Sequence, residues 1–196
     1  MIDHLVYAVP DLALADDLGI ALSPGGPHVG LGTRNLLASL GGDAYLEVIG
    51  PDPEQPEPDG PRPFGIDDLT EPKLVAWAVR VEDIDEAVER AKARGYDPGP
   101  VMSMSRVRPD GVLLEWRLTP PVAGILPFLI DWGSTLHPSA SAAQGAVLES
   151  LLVTDYDKDA AYEGLKALGL RDFAMGYGPP GLMAEIRTSD GEVVLR

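Results

Sequence analysis

Leu74–Tyr96 reads LVAWAVRVEDIDEAVERAKARGY, and its parts fall into a strand followed by a helix. The apolar run Leu74–Val81 predicts a buried strand. Ile84, Ala87, Val88 and Ala91 then recur at helical spacing. Asp83 stands as an N-cap with Glu86 three residues on, a pairing in which each side chain satisfies a free backbone N–H. Gly95 supplies the stop, because it accepts the left-handed backbone that ends a helix. The N-terminus repeats this order. Ile2–Val9 is a short apolar run, and VPDLALADDLGI follows, with Asp11 as cap and Gly19 as stop.

Strand-like pieces complete each unit. They are Asn35–Ser39 and Ala44–Ile49 in the first, and Pro100–Arg108 and Val112–Leu118 in the second. Pro109-Asp110-Gly111 is the expected turn of the latter pair. Val9-Pro10-Asp11-Leu12 overlays Val81-Glu82-Asp83-Ile84, and Tyr45-Leu46-Glu47 overlays Leu113-Leu114-Glu115. A looser copy follows: Val147–Val153, a helix near Tyr156–Leu168 stopped by Gly169, then Arg171–Met175, Leu182–Thr188 and Glu192–Leu195. A repeat of about 70 residues constrains the whole fold. It predicts an α+β protein of repeated strand-helix-strand-strand-strand (βαβββ) modules.

Gly50–Pro72 holds seven prolines among many acids, so it reads as an extended connector. The expected division is residues 1–50 for the first module, 51–72 for the connector and 73–121 for the second module. A bridging strand with a third, partial module takes 122–196.

The chain has 196 residues, 31 Asp and Glu against 15 Lys and Arg, a formal net charge of −16, and no cysteine. That field repels phosphate backbones, so nucleic-acid binding is not expected. Disulfide scaffolds, thiol nucleophiles and thiolate metal sites are excluded. The N-terminal run lacks the basic start of a signal peptide, and no apolar stretch is long enough to span a membrane. A cytoplasmic protein is the expectation.

Three stretches carry a resemblance: Ile2-Asp3-His4-Leu5-Val6, Gly25 to Asn35 (GGPHVGLGTRN), and Tyr45-Leu46-Glu47-Val48-Ile49. Leu126–Trp132 (LPFLIDW) adds to them. Over about residues 2–132 the sequence resembles the glyoxalase-like domain family of the vicinal oxygen chelate superfamily. The resemblance implies paired modules whose curved mixed sheets form an open cup. It implies four metal-ligand positions on the first and last strands of each module, falling here on His4, Glu47, Ala76 and Glu115. Ala76 has no donor, which leaves His4, Glu47 and Glu115. One imidazole and two carboxylates suit Mn²⁺, Fe²⁺, Ni²⁺ or Zn²⁺. The implied chemistry is a metal-dependent lyase or isomerase reaction on a small oxygenated, carboxylated molecule. Glu115 would be the general base if it is not a ligand. The alternative is a metal-free protein that sequesters a small ligand, as bleomycin-resistance proteins do. Such modules often pair across subunits, so a homodimer is expected.

Read on their own, several of these residues have a plainer role. His4 shares a strand face with Ile2, Val6 and Ala8 and could be a core-edge histidine. Glu47 shares one with Tyr45 and Ile49, where a carboxylate is costly unless paired. Glu115 could form a surface pair with Arg117. The glycine-rich stretch lacks the Gly-Lys-Ser/Thr ending of a nucleotide loop and reads as a bent strand or rim. It makes His28, Arg34 and Asn35 candidate pocket groups. Arg80, Arg106, Arg108 and Arg117 cluster in the second unit's strands. With Arg80 on the face of Ala76 and Ala78, they suggest a positive pocket for an anionic ligand. Trp77 falls on the opposite face and belongs to the core. Trp132 could stack on a ligand. His137 lies in a small-residue loop.

Overall fold

The computed structural model describes the whole chain except residues 109, 122 and 172. Pro109 of the expected turn, Val122 at the expected start of the third unit, and Asp172 within Arg171–Met175 therefore lie outside the described residues.

The first module runs β1 (Ile2–Ala8), a 3-10 helix (Leu12–Leu18), β2 (Ser23–His28), β3 (Thr33–Ser39) and β4 (Tyr45–Pro51). The second runs β5 (Lys73–Arg80), α1 (Ile84–Ala93), β6 (Met102–Val107), β7 (Leu113–Leu118) and β8 (Phe128–Asp131). The remainder holds β9 (Val147–Asp155), α2 (Lys158–Ala167), β10 (Met175–Tyr177), β11 (Gly181–Thr188) and β12 (Gly191–Leu195).

One half of the expected capping box forms in α1, while the Glu86 carboxylate pairs with Arg90 at 2.6 Å. The Asp83 carboxylate accepts from the Glu86 N–H at 3.0 Å, and Ile84, Ala87, Val88 and Ala91 are buried. The first helical stretch differs. Seven residues lie between its cap, Asp11, and Gly19, which takes φ 66°. Only Ala15 among them is fully buried, so little packing supports a regular α-helix, and the tighter 3-10 form results.

Eight strands form one mixed sheet in the order β2-β3-β4-β1-β5-β8-β7-β6. The two modules occupy its halves as mirror-ordered copies, with first strands β1 and β5 antiparallel at the centre. Each first strand runs parallel to the last strand of its own module, β1 with β4 and β5 with β8. The sheet curves until its outer strands, β2 and β6, come into contact. At this seam Gly26 holds φ 133°, a backbone conformation that residues with a Cβ rarely adopt. A nearly closed cup results.

Period-two alternation then sorts the side chains. Leu5, Tyr7, Leu46, Val48, Trp77 and Val79 face outward into the main core. There β5 meets β11 of the second sheet, of order β10-β9-β11-β12, and α1 meets α2; Leu151, Val153, Ala184 and Ile186 of that sheet join Leu165 of α2 in the same core. Trp77 is fully buried in this core, and its indole N–H donates to the Ile125 carbonyl at 2.8 Å. Val6, Ala8, Tyr45, Ile49, Ala76 and Ala78 face into the cup. No helix among the described residues is long and apolar enough to cross a membrane.

Candidate functional site

The cup encloses a cavity of about 100 Å³, far more than one water needs. Its floor is polar: His4 from β1, His28 from β2, Asn35 from β3, Glu47 from β4 and Arg106 from β6. Its walls are apolar and largely aromatic, including Phe64, Met104, Trp116, Phe128, Ile130 and Trp132. Phe64 comes from the proline-rich connector and holds φ 61°, a left-handed conformation unusual for a large residue.

Glu47 is the centre of the floor. Asn35 donates to its Oε1 at 2.5 Å. His28 Nε2 stands 3.5 Å from Oε1, and His4 Nε2 stands 3.9 Å from Oε2. The partners of each ring fix its tautomer. His4 Nδ1–H donates to Asp3 Oδ1 at 2.6 Å. Asn35 Nδ2 also lies 3.2 Å from His28 Nε2, so that nitrogen accepts and Nδ1–H donates to Thr33 Oγ1 at 3.0 Å. The His28 Nε2 lone pair therefore takes an Asn35 N–H, and the His4 Nε2 faces Glu47 at 3.9 Å.

The electrostatics agree with this state. Burial alone would push the Glu47 carboxyl up. The imidazoles of His28 and His4, the Asn35 hydrogen bond and the Arg106 charge outweigh it and hold the pKa below the ordinary value. Burial pushes His28 down against the opposing pull of Glu47, which keeps its ring neutral at pH 7. Burial, with the Asp3 and Glu47 charges, pushes the Tyr45 hydroxyl well up, so it stays protonated. Its ring stacks on His4 with centroids 4.6 Å apart.

Behind His4 lies a second network. Asp3 is fully buried and accepts three N–H groups: His4 Nδ1, His137 Nε2 at 2.9 Å and Trp132 Nε1 at 3.0 Å. The register shift between Ile2 and His4 in the β1–β5 ladder accompanies this contact between adjacent residues. Burial acts to raise the Asp3 pKa, but the hydrogen bonds from His137 and His4 prevail and hold it far below the usual carboxylate range.

The structure thus brings His4, His28, Asn35, Glu47 and Trp132 together. It does not bring the other expected residues. In β7 the inward residues are Leu114 and Leu118, with Trp116 at the cavity wall, so Glu115 and Arg117 point the other way. Glu115 is exposed beside Thr135, whose hydroxyl donates to the Glu115 carbonyl at 2.7 Å. It is neither a ligand nor a base for this cavity. Arg117 forms a two-pronged pair with Asp85 at 2.7 and 2.8 Å. Arg34 alternates away from Asn35, 3.3 Å from Glu54 and 3.6 Å from Asp52. Arg80 reaches Asp43 at 3.5 Å. Of the expected arginine cluster only Arg106 joins the floor, and His137 comes in from its small-residue loop; Asp3 belongs to the site although the sequence reading assigned it no role. The spacing Met102, Met104, Arg106 on one strand face was the available signal for Arg106.

Among the described residues no three His, Asp or Glu side chains already stand together as a metal-binding group. Inside the cavity the candidate donors are His4, His28 and Glu47. Donors held at 2.0–2.2 Å by one divalent ion lie about 3.0–3.5 Å apart. The 3.5 Å separation meets that, and the 3.9 Å one exceeds it by an amount that small side-chain rotations remove. A neutral His28 ring and an ionised Glu47 carboxylate are also the protonation states such an ion requires. The donor set fits.

A mirror-paired, nearly closed cup of two βαβββ modules, with a His/Glu floor, defines the vicinal oxygen chelate class. Residues 2–169 match the glyoxalase-like domain family, and the chain belongs to it. No curated protein sequence matches the chain. Among solved structures, it is similar to a hypothetical protein from Staphylococcus aureus. The two share 14% identity with a TM-score of 0.71, over 97% of this chain and 92% of that one. It is also similar to a mutant of 4-hydroxymandelate synthase from Streptomyces coelicolor. There the identity is 17% and the TM-score 0.52, over 98% of this chain and 62% of that one. A Mn(II)-bound glyoxalase from Novosphingobium aromaticivorans shares 14% identity, with a TM-score of 0.48, over 92% of this chain and 62% of that one. At these identities the likeness concerns the fold.

Proposed function

We propose that the cup is the active site of a divalent-metal-dependent lyase or isomerase for a small, oxygenated, carboxylated molecule. His4, His28 and Glu47 would hold the ion, with His28 in the place that the sequence assigned to Glu115. The observation that carries this reading is the Glu47 carboxylate flanked by two Nε2 atoms at 3.5 and 3.9 Å, each ring anchored from behind through Nδ1. Such anchoring fixes a ligating imidazole's tautomer and direction. When bound, the ion supplies Lewis acidity, polarising a substrate oxygen so that an adjacent C–H becomes more acidic. Asp3 and Thr33 orient the two rings. Asn35 fixes the rotamer of Glu47. The aromatic walls exclude water from the polar floor, which strengthens every charge interaction there.

One observation favours the metal-free alternative. Glu47 is the only carboxylate among the residues that line the cavity. If Glu47 is a ligand, no second carboxylate stands ready as a base, and a cup that binds without reacting is the simpler use of the same walls. Elemental analysis of untagged protein prepared without chelator separates the two readings. The metal reading expects near-stoichiometric divalent ion, lost in a His4→Ala, Glu47→Ala double variant. No metal in either protein after reconstitution overturns it and leaves sequestration.

A further inference from the structure

We infer that Arg106 receives the acidic group of the ligand, and that this ligand is a monocarboxylic acid with a flat apolar body. The inference rests on the reading of the cup as a ligand site, but not on a metal.

Arg106 is only 7% exposed. Its Nη1 donates to Asn35 Oδ1 at 2.7 Å, across the seam where β6 meets β2. Its Nε is buried and has no hydrogen-bond partner among the described residues, and the guanidinium forms no ion pair among them. The contrast with its neighbours is informative in so acidic a chain. Arg80, Arg108 and Arg117, from the same module, each pair with an aspartate. A buried guanidinium with no direct ion pair, its charge reaching Glu47 only across Asn35, is expensive, and a ligand's carboxylate relieves that expense.

Asn35 keeps Arg106 out of a direct ion pair. Its carbonyl oxygen takes Arg106 while its amide donates to Glu47, so the cation is held apart from the carboxylate that lines the cavity. Gly25 keeps the space for this bridge. A Cβ there would collide with Asn35 Oδ1 and stand 2.9 Å from Arg106 Nη1.

The ligand's class follows from the surroundings. A planar guanidinium fork matches a carboxylate. One unpaired cation balances one negative charge, whereas a phosphate dianion would call on a second, and the nearby Arg108 is already 2.6 Å from Asp110. The remaining walls, with Trp116 and Trp132 rings 5.3 Å apart and Phe64 and Phe128 beside them, suit a flat apolar body.

Phenylacetate is the probe, because it carries one carboxylate and no vicinal oxygens to chelate an ion. Titrate it, and its uncharged isostere phenylacetamide, into metal-stripped full-length protein by calorimetry. Phenylacetate is expected to bind at least about tenfold more tightly than the amide. Arg106→Met should weaken it by a similar factor, with near-ultraviolet circular dichroism unchanged. Arg106→Lys should recover part of the loss, and Arg108→Ala should leave binding as it was. Equal binding of acid and amide overturns the inference, a comparison that needs no variant. So does an Arg106→Met protein that binds within twofold of wild type, or failure of phenylacetate to bind at all. Mn²⁺ titrated in parallel reports on the metal separately, so either idea can fail while the other stands.

Discussion

Replacing Asp3 should be the most damaging single change behind the site. Its carboxylate is fully buried and accepts three N–H groups at 2.6, 2.9 and 3.0 Å. Asp3→Ala strands all three donors. A buried donor left unmade costs about 1–3 kcal/mol. Relief of the carboxylate's own desolvation offsets part of that sum, and losses from broken buried networks run at about 3–5 kcal/mol. That range is the expectation for Asp3→Ala by urea denaturation, as a lower midpoint at unchanged slope. Acidity supplies an independent check. The folded pKa of Asp3 lies below its unfolded value of about 3.9. The unfolded chain therefore binds more protons in this window, and stability falls as pH drops below about 4. An Asp3→Asn variant lacks that contribution, so its stability should fall less steeply with acid. A loss under about 1 kcal/mol for Asp3→Ala, with the same acid limb as wild type, would refute this account of the network.

Gly25→Ala should break the Asn35–Arg106 bridge, at a cost of about 1–3 kcal/mol typical of overpacking, and should weaken phenylacetate binding in the same calorimetric assay. Trp77→Ala, in the core outside the cup, should cost about 3–5 kcal/mol by denaturation while phenylacetate affinity stays within twofold at temperatures where the variant is folded.

The fold was legible because its repeat is written in local signals. The apolar run, the Asp83 cap with its helical spacing, and Gly95 depend only on near neighbours in the chain. Period two likewise put His4 and Glu47 on one side of their strands. The overlay of Tyr45-Leu46-Glu47 on Leu113-Leu114-Glu115 failed because residue likeness does not fix strand parity. A one-residue slip exchanges the two faces of a strand. Leu114, Trp116 and Leu118 hold the inward parity, so the Glu115 that resembled Glu47 faces solvent. Arg80 and Arg117 misled for another reason. A strand pattern does not show which aspartate lies nearby in space, and Asp43 and Asp85 claim them. The Asp3–His137 and Asn35–Arg106 contacts were hidden by distance along the chain. Asp3 and His137 are 134 positions apart, and Asn35 and Arg106 are 71 apart. Only closure of the cup joins them.

Mn²⁺ titration followed by electron paramagnetic resonance, on wild type, His28→Ala and Glu115→Ala, tests the central claim most directly. The account predicts that wild type and Glu115→Ala bind Mn²⁺ alike, while His28→Ala loses at least about tenfold in affinity. Loss in Glu115→Ala with His28→Ala unaffected, or no Mn²⁺ binding by wild type, would contradict it.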